Sequence, residues 1–398
     1  MATETRPGGA GEERVRVGVI GAGSIAQIMH LPYLTELDDR FAVAALCDVS
    51  AGTLEAVGER YGVPRHARFT DYRELCRSDL VDAVLICPSG SHVPPAVAAL
   101  QAGKHVLVEK PLCYRLDEAD QFVAAAREAH ERSGAVSLLA YMKRFDPGYQ
   151  YGQRLVRPLA ERGELHFVDA RHLHPSNDLY MAHHRIDHGR DVPAEVREQG
   201  RREQEAALVY SLGASAPPAL RRVFGGMMGS SIHDVYALNG LLGRPEEIVA
   251  SETWANGRCW SAIFRYPHGV RVNYAWIDIH QIREFKQEFA CYGAGTRVTI
   301  TFPSPFLKSA PTVVTIQGMD APPEDPAGRI SGEHGWQDPG PAHWEKRVTA
   351  SHEEAFKREW VHFHTCITQG VEPLISPEEV REDTAFVVEW ARHTHAEG

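Results

Sequence analysis

A glycine-rich turn is the stretch of the chain whose residue types and spacing most directly indicate a functional site. Gly21, Gly23 and Ala26 form a Gly-x-Gly-x-x-Ala pattern, and the β-branched run before it is typical of a buried parallel strand. In this pattern the first glycine makes a tight turn, the second lets the backbone approach a pyrophosphate, and the small third residue packs the helix on the strand. The start of the following helix is therefore expected to bind a dinucleotide, at Gly21, Gly23, Ser24 and Ile25.

The next apolar run ends on a carboxylate that favours NAD. Asp48 lies 25 residues after Gly23, directly after an apolar run over 41–47. A carboxylate at this place accepts both hydroxyls of the adenosine ribose and repels a 2′-phosphate. The sequence therefore favours NAD, while the neighbouring Ser50, or an arginine that the sequence does not place, leaves NADP open.

The elements that must position these residues alternate as in an α/β domain with a parallel sheet. In such a sheet, ligands bind outside the carboxyl ends of the strands, so the residues that follow the strands should surround one crevice. Besides the glycine turn and Asp48, the expected cofactor-binding residues are Pro88, Ser91, His92, Glu109 and Lys110. Tyr141 and Arg144 follow the last strand of this domain and are expected to bind substrate. Lys143 lies between them, but Lys143 and Arg144 cannot share a face of an extended chain, so one of the two is expected to be a surface charge.

The chain divides into two domains at a predicted helix over 148–161. The alternation of strands and helices stops there, and a polar segment broken by prolines follows over 176–222, which predicts a helical insertion. The predicted units are a disordered tail (1–13), a Rossmann dinucleotide-binding domain (14–147), a C-terminal domain for substrate and oligomerisation (148–375) and a C-terminal helix (376–398).

The second domain has the pattern of an α+β domain with an open, mainly antiparallel sheet. Strand-like runs recur between 248 and 317, and short turn-prone breaks separate them. Such a sheet needs helices on one face and leaves the other face free for a partner. Residues 320–343 are rich in proline and glycine and predict an irregular loop. Ser376 and Glu379 form a capping box that begins the last helix.

The bulk composition excludes several classes of function. The chain of 398 residues has a net charge of −11 and a pI near 6.0, which excludes a broad basic surface for nucleic acid or an anionic membrane. Seven cysteines without a Cys-x-x-Cys pair indicate a reducing compartment rather than a disulfide or zinc framework. The N-terminal tail lacks the apolar core of a secretion signal. We therefore expect a cytoplasmic protein that acts on a small molecule.

Several motifs resemble those of the Gfo/Idh/MocA oxidoreductases, the family that includes glucose-fructose oxidoreductase and inositol dehydrogenase. The most specific motif is Glu109-Lys110-Pro111 at a strand end. Further motifs are Tyr141-Met-Lys-Arg-Phe-Asp-Pro, His233-Asp234 before Leu-Leu-Gly243, and Ser376-Pro-Glu-Glu-Val-Arg. The resemblance covers nearly the whole chain. It implies a Rossmann domain followed by a domain whose open sheet pairs subunits, and hence a homodimer or homotetramer.

The resemblance also implies an activity and the residues that carry it. Lys110 is similar to the family lysine beside the nicotinamide, and His233 is similar to the family histidine that acts as general acid and base. Hydride transfer at a carbinol carbon requires proton transfer at its oxygen, which a group titrating near neutrality does best. The implied protein is an NAD(P)-dependent oxidoreductase that interconverts a secondary alcohol and a ketone on a sugar, a cyclitol or a related small polar molecule.

One position departs from the family pattern. Family members carry an aspartate four residues before the histidine, where this chain has Gly229, and Ser231 replaces a common glycine. Asp234 is a candidate for substrate binding, but Ser231 as N-cap with Asp234 at N3 would equally make a capping arrangement. The residue that compensates for the missing carboxylate stays open at this stage.

The remaining histidines indicate no metal site. His172 and His174 share one face of a strand, as two ligands of a metal must, but the sequence offers no third ligand, and no metal is expected. The histidines at 183, 184 and 188 lie in the insertion and are expected to be solvated rather than to line the pocket.

Two other functional classes use the same dinucleotide site. Some relatives retain NAD and cleave glycosidic bonds through a transient ketone, and the missing carboxylate raises the prospect of this chemistry, or of a reductase for an imine or another non-sugar group. A non-catalytic sensor that binds the dinucleotide is a third class. The presence of both Lys110 and His233 argues against a sensor.

Overall fold

The computed structural model describes residues 14–278, 281–318 and 343–396. The predicted tail over 1–13 and nearly all of the predicted loop over 320–343 lie outside these residues. No helix in the described ranges combines the length and the apolar character that a membrane crossing requires.

The N-terminal domain is built on a six-stranded parallel sheet. Its spatial order, β3-β2-β1-β4-β5-β6, places β1 at the centre, with the chain crossing to either side of it. The β-branched residues of β1 and β4 are fully buried, because helices cover both faces of the sheet. The strands are β1 (Val15–Ile20), β2 (Phe41–Cys47), β3 (Arg68–Phe69), β4 (Ala83–Ile86), β5 (His105–Val108) and β6 (Ser137–Leu139).

Helices connect these strands, and several begin or end at the residues that local chemistry favours. The Ser50 hydroxyl accepts from the amide of Thr53 and caps α2, and the Asp71 carboxylate caps α3 in the same way. Gly134 ends α5 in the left-handed conformation. The helices are α1 (Leu31–Glu36), α2 (Ala51–Arg60), α3 (Tyr72–Arg77), α4 (Val93–Gln101), α5 (Leu116–Ser133) and α6 (Pro147–Glu161), which leads into the second domain.

The second domain contains a nine-stranded, mainly antiparallel sheet in the order β14-β13-β12-β11-β7-β10-β9-β8-β15. The central strand β7 runs antiparallel to β11 but parallel to β10, and β15 is parallel to β8. The strands are β7 (Leu165–His174), β8 (Glu247–Trp254), β9 (Cys259–Arg265), β10 (Arg271–Asp278), β11 (Lys286–Gly293), β12 (Thr296–Phe302), β13 (Val313–Gly318), β14 (Trp344–Thr349) and β15 (His395–Ala396). The predicted fold class is confirmed in both domains.

Helices cover one face of this sheet. Trp260, Tyr274 and Trp276 are buried on that face, so these aromatic residues belong to the core. Val249, Phe167 and Ile263 are exposed. The remaining helices are α7 (Asp178–Met181), α8 (Ala194–Leu212), α9 (Pro218–Gly226), α10 (Ile232–Leu242), α11 (Ala355–Gln369) and α12 (Pro377–His393).

The helix that carries His233 begins earlier than predicted. A π-helical segment, Met227–Ser231, joins α9 to α10, so the chain is helical without interruption from 218 to 242. Ser231 has helical backbone angles and caps nothing, and the expected capping arrangement of Ser231 with Asp234 is wrong. Its hydroxyl is instead bonded to two aromatic side chains of the sheet, those of Trp260 (3.2 Å) and Tyr274 (2.9 Å).

The last two helices return to the N-terminal domain. The Ser376 hydroxyl caps α12 as predicted, by accepting from the amide of Glu379. Arg381 of α12 is paired with Asp120 of α5 at 2.8 Å, and the indole of Trp360 in α11 donates to His30 at 3.1 Å. These contacts fix the two sheets relative to each other.

Candidate active site

The glycine turn after β1 is shaped by a close approach of two loops. Gly21 has a positive φ of 90°, and a Cβ built on it would lie 2.5 Å from the backbone nitrogen of Pro88. Only glycine fits there. A Cβ built on Gly23 would meet no atom of the described residues within 4 Å, so the space above this second glycine is open. A tight first glycine and an open second one form the cradle that a pyrophosphate needs.

Asp48 fixes the glycine turn from the neighbouring strand. Its Oδ2 accepts from the amide of Ala22 at 2.9 Å, and its Oδ1 accepts from the amide of Ser50 at 2.9 Å. Each carboxylate oxygen has a further lone pair, so both can still accept ribose hydroxyls. Ser24 and Ile25, in the first turn after the glycines, are partly exposed beside this position. The described residues therefore fit the adenosine and pyrophosphate parts of a dinucleotide.

The loops after β4 and β5 are tied together by a buried histidine. The His92 ring is bonded to the carbonyl of Glu109 at 2.5 Å and to the carbonyl of Pro88 at 2.9 Å. Ser91 donates to Glu118 at the start of α5. His92 and Ser91 thus hold the walls of the crevice through these contacts with protein groups.

Glu109 has a similar supporting position. One oxygen contacts His30 Nε2 at 2.9 Å and the other accepts from the amide of Lys110 at 2.9 Å. Because Trp360 donates to Nδ1 of His30, the proton of a neutral His30 ring lies on Nε2 and points at Glu109. Burial acts to raise the pKa of Glu109, but His30 and Lys110 outweigh it, and the pKa is lowered. A charged Glu109 therefore holds the backbone from which the Lys110 side chain extends.

Lys110 reaches from the N-terminal domain to the helix of the second domain. Its Nζ donates to the carbonyl oxygen of Gly229 at 3.0 Å. Burial lowers the pKa of Lys110, although Glu109 partly opposes this. A Cβ built on Gly229 would meet no atom of the described residues within 4 Å outside its own helix. The position of the usual family aspartate is therefore open space beside the lysine.

His233 lies one turn after Gly229 on the same side of the helix, because residues four apart are neighbours on a helix surface. Its Nδ1 contacts the hydroxyl of Tyr236 at 2.8 Å, so Nε2 is the nitrogen left for a ligand. Burial, followed by the charges of Lys110, Lys143 and His172, lowers the pKa of His233 well below its ordinary value. The ring is therefore neutral at neutral pH and can accept a proton.

Asp234 lies beneath the site rather than in it. The residue is fully buried, and its carboxylate accepts from Tyr274 at 2.8 Å, from Gln287 and from His172 at 2.9 Å. His172 and Gln287 are paired on adjacent strands, on the sheet face that α10 covers. The expectation that Asp234 binds substrate is wrong, because three protein groups already occupy its oxygens. Its partner His172 is likewise part of this network.

Tyr141 and Arg144 do not face the crevice, which corrects their assignment to substrate binding. Tyr141 is buried and stacks on Tyr236 with ring centroids 4.0 Å apart. Arg144 is paired with Glu379 of α12 at 2.6 Å. Both residues follow β6 as expected, but a short 3₁₀ turn, Met142–Phe145, directs their side chains to the second domain.

Lys143 is the charged residue of this turn that sequence reasoning did not assign to the site. It is buried, its Nζ donates to Gln287 at 2.6 Å and lies 4.0 Å from the centre of the Phe302 ring. Burial lowers its pKa to about 8, against the charges of Asp234 and Asp146. Tyr236 was also missed. Its spacing of three from His233, one helical turn, is the signal that could have indicated a partner.

The histidines outside this centre form no metal site in the described residues. In those ranges no group of three or more His, Cys, Asp or Glu side chains could hold a metal ion. His184 contacts the carbonyl of Phe306 at 3.0 Å, and His188 lies 3.4 Å from the Ser24 hydroxyl. His188 was expected to be solvated, but it lies next to the glycine turn.

Comparison with known proteins confirms the family resemblance. Residues 15–136 match the model of the Gfo/Idh/MocA oxidoreductase family, described as an NAD-binding Rossmann fold. The chain is 35% identical to the inositol 2-dehydrogenase of Paracoccus denitrificans over 162 residues, and 30% identical to that of Salmonella typhimurium over 164 residues. These stretches are 40% and 41% of this chain but only 46% and 47% of the two dehydrogenases, so the chain spans about half the length of these relatives.

Solved structures confirm the fold over nearly the whole chain. The 3-ketoreductase KijD10 from Actinomadura kijaniata, determined with NADP and TDP-benzene, matches with a TM-score of 0.66 and 20% identity, over 96% of this chain and 99% of its own. At this identity the likeness shows the fold alone. Over residues 15–136 the chain thus matches the NAD-binding Rossmann domain of the Gfo/Idh/MocA family.

Proposed function

We propose that this relative of the Gfo/Idh/MocA oxidoreductases is an NAD(P)-dependent enzyme that interconverts a secondary alcohol and a ketone on a sugar, a cyclitol or a related small polar molecule. The observation that carries the proposal is the meeting of two residues from different domains. Lys110 is bonded to the helix turn that precedes His233, and its charge contributes to the low pKa of His233. A cation and a neutral base beside the dinucleotide cradle are the two groups that this reaction needs.

The residues have separate parts in the reaction. The glycine turn and Asp48 would hold the dinucleotide, which would supply the acceptor for the hydride of the carbinol carbon. Nε2 of His233 accepts the proton of the substrate hydroxyl, since Nδ1 is engaged by Tyr236. Lys110 stabilises the negative charge that develops on the oxygen. In the reverse direction the same proton returns from His233 to the oxygen, and a ketone becomes a secondary alcohol.

The partner of His233 in this chain is the Tyr236 hydroxyl, not a carboxylate. A carboxylate can only accept a hydrogen bond and would keep the proton on Nδ1, whereas a hydroxyl can accept or donate. Both tautomers of a neutral His233 are therefore compatible with the Tyr236 contact at 2.8 Å. Only the tautomer with the proton on Nδ1, which donates to Tyr236, leaves Nε2 free to accept the substrate proton, and the same tautomer results when Nε2 returns the proton in the reverse direction.

The similar proteins support the substrate class. The relatives aligned with this chain include several inositol 2-dehydrogenases. Inositol is a cyclitol, so dehydrogenation at its carbon 2 turns a ring alcohol into a ring ketone. We extend this class to the present chain, and we propose a homodimer or homotetramer that forms through the exposed sheet face of Phe167 and Ile263.

All seven cysteines of the chain are free. Free thiols suit a reducing compartment, as in the cytoplasm.

The test is a turnover assay with a panel of cyclitols, aldoses, uronic acids and nucleotide sugars. Each compound is incubated with the protein and NAD, and the formation of reduced nicotinamide is followed by absorbance. We expect at least one ring alcohol to be oxidised with a kcat/KM of about 10³ M⁻¹s⁻¹ or more, somewhat below common values for dedicated substrates. Tight binding of NAD without turnover of any alcohol, or of any corresponding ketone with NADH, would contradict the proposal.

A further inference from the structure

A segment of the second domain lies across the cofactor edge of the first. Residues 185–191, which we name the strap, connect α7 to α8 within the insertion. The strap is between 125 and 164 residues away in sequence from the residues that it contacts, and its His188 reaches the Ser24 hydroxyl after the glycine turn. The insertion was expected to be a solvated surface feature, yet this part of it packs on the place where the adenosine half of a dinucleotide belongs.

One end of the strap is fixed at the helix that follows the glycine turn. The amide of Asp187 donates to Gln27 Oε1 at 2.8 Å, and Gln27 Nε2 returns a bond to the carbonyl of Asp187 at 2.9 Å. The Asp187 carboxylate also forms an ion pair with Arg60 of α2. The two helices on either side of the cofactor crevice are thus bound to one strap residue.

The middle of the strap approaches α2 so closely that only glycine fits. The amide of Gly189 donates to the Thr53 hydroxyl at 2.9 Å. A Cβ built on Gly189 would overlap the Ser50 hydroxyl and would lie 2.9 Å from the Thr53 amide nitrogen. Because these atoms belong to the first turn of α2, the strap has little room to move sideways without losing its contacts.

The other end of the strap places a carboxylate next to Asp48. Asp191 Oδ1 accepts from the Ser50 hydroxyl at 2.5 Å, and Oδ2 accepts from the amide of Gly52 at 2.9 Å. The amide of the same Ser50 donates to Asp48. Asp48 and Asp191 therefore lie on either side of one residue at the start of α2. These hydrogen bonds lower the pKa of Asp191, which keeps it charged at neutral pH.

We propose that the strap closes over the adenosine half of the cofactor and that Asp191 is a specificity-determining residue that admits NAD and excludes NADP. The inference rests on the proposed function and extends it to the choice of cofactor. A 2′-phosphate beside Asp48 would meet a second carboxylate at Asp191. The hydroxyl and the helix amide that could stabilise the phosphate already donate to Asp191. The ribose hydroxyls of NAD carry no charge and meet no such repulsion.

The test compares the affinities for NADH and NADPH in three proteins by titration of nicotinamide fluorescence. For the wild type we expect tighter binding of NADH. Asp191→Asn keeps the size of the side chain and removes its charge, and we expect about tenfold tighter NADPH binding, with NADH binding changed less than about twofold. Glu195→Gln removes an exposed carboxylate from the same insertion, outside the strap, and serves as the matched control with both affinities unchanged.

A second variant tests the strap through its backbone. In Gly189→Ala the new methyl group pushes the strap away from Ser50 and Thr53, and we expect faster dissociation of NADH, by about tenfold, when bound NADH is displaced by excess NAD. The thermal midpoint of unfolding shows whether the variant is folded. This readout remains available if Asp191→Asn fails to fold.

The possible results separate this inference from the proposed function. If the wild type binds neither dinucleotide, the proposed function is contradicted together with the inference. If the wild type binds NADH but prefers NADPH, the inference is overturned and the proposed function stands. The same conclusion follows if Asp191→Asn keeps the wild-type ratio of the two affinities and Gly189→Ala keeps the wild-type dissociation rate of NADH.

Discussion

His233 is surrounded by positive charge, and this decides its protonation. Lys110 comes from the N-terminal domain, Lys143 from the turn after β6 and His172 from the central strand of the second sheet. Together with burial they keep the ring neutral. A neutral ring is the form that accepts a proton from an alcohol, so alcohol oxidation should be active down to a pH below the ordinary histidine pKa.

Removal of one of these charges should shift the pH profile of the reaction. Lys143→Met keeps the apolar stem over Phe302 and removes the charge, so protonation of His233 becomes less unfavourable and its pKa rises. In the direction of alcohol oxidation the loss of kcat/KM on the acid side should then begin at higher pH, by about half a unit to one unit. The exposed Lys308 provides the control Lys308→Met, with an unchanged profile. An acid limb that stays in place or moves to lower pH in Lys143→Met would show that Lys143 does not act on His233.

Sequence reasoning could identify some of these residues but not others. Lys110, Asp48 and the two glycines follow directly after strands, and the end of a parallel strand is a place that the sequence itself defines. Asp234, Tyr141 and Arg144 were misplaced because their side-chain directions depend on contacts with another element. Asp234 is hydrogen-bonded to His172 of the sheet, and Arg144 forms an ion pair with Glu379 of the last helix.

At the scale of elements, the two positions of the turn hold glycine for different physical reasons. Gly21 is required by the backbone, since its φ is positive and Pro88 lies against it. Gly23 is free of both constraints in the described structure. The presence of a glycine at this position must then be explained by what occupies the open space above it, and a bound pyrophosphate is the expected occupant.

This difference predicts that alanine at the two positions affects two different properties, the thermal stability at Gly21 and the affinity for NADH at Gly23. Gly21→Ala should lower the midpoint of thermal unfolding by roughly 5 °C or more, because alanine is strained at this φ and its methyl group overlaps the Pro88 backbone. Gly23→Ala should leave the midpoint within about 1 °C but weaken NADH binding by about tenfold or more, since the methyl group takes the space of the pyrophosphate. Calorimetry and fluorescence titration measure the two effects. Undiminished NADH binding by Gly23→Ala would place the pyrophosphate elsewhere.

The long helix shows why a local signal can fail. Ser231 and Asp234 have the spacing of a capping pair, and this predicted a helix start. In the structure the chain is already helical from 218, and the Ser231 hydroxyl is bonded to Trp260 and Tyr274 of the sheet. The local prediction depended on the Ser231 hydroxyl as a cap, but this hydroxyl is bonded to residues of a distant element instead.

At the scale of the whole molecule, the site exists only because two domains are fixed together. Helix α11 brings Trp360 to His30, and α12 brings Arg381 to Asp120, so the C-terminal helices support the N-terminal sheet. Both domains and their sheets were predictable from the periodicity of strands and helices. The docking of the strap was not, because its contacts with Ser50 and Gln27 join residues that no local pattern relates.

The most direct test of the account is the rate of hydride transfer in Lys110→Ala. In a single turnover with saturating cofactor and a substrate found in the panel, the account predicts a rate about 10² to 10⁴-fold below that of the wild type. The affinity for NADH should stay within about threefold, because Lys110 is bonded to Gly229 and, in the proposed reaction, acts on the substrate oxygen rather than on the adenosine half. Lys104→Ala, at the opposite end of β5, should match the wild type. Hydride transfer at the wild-type rate in Lys110→Ala would contradict the account.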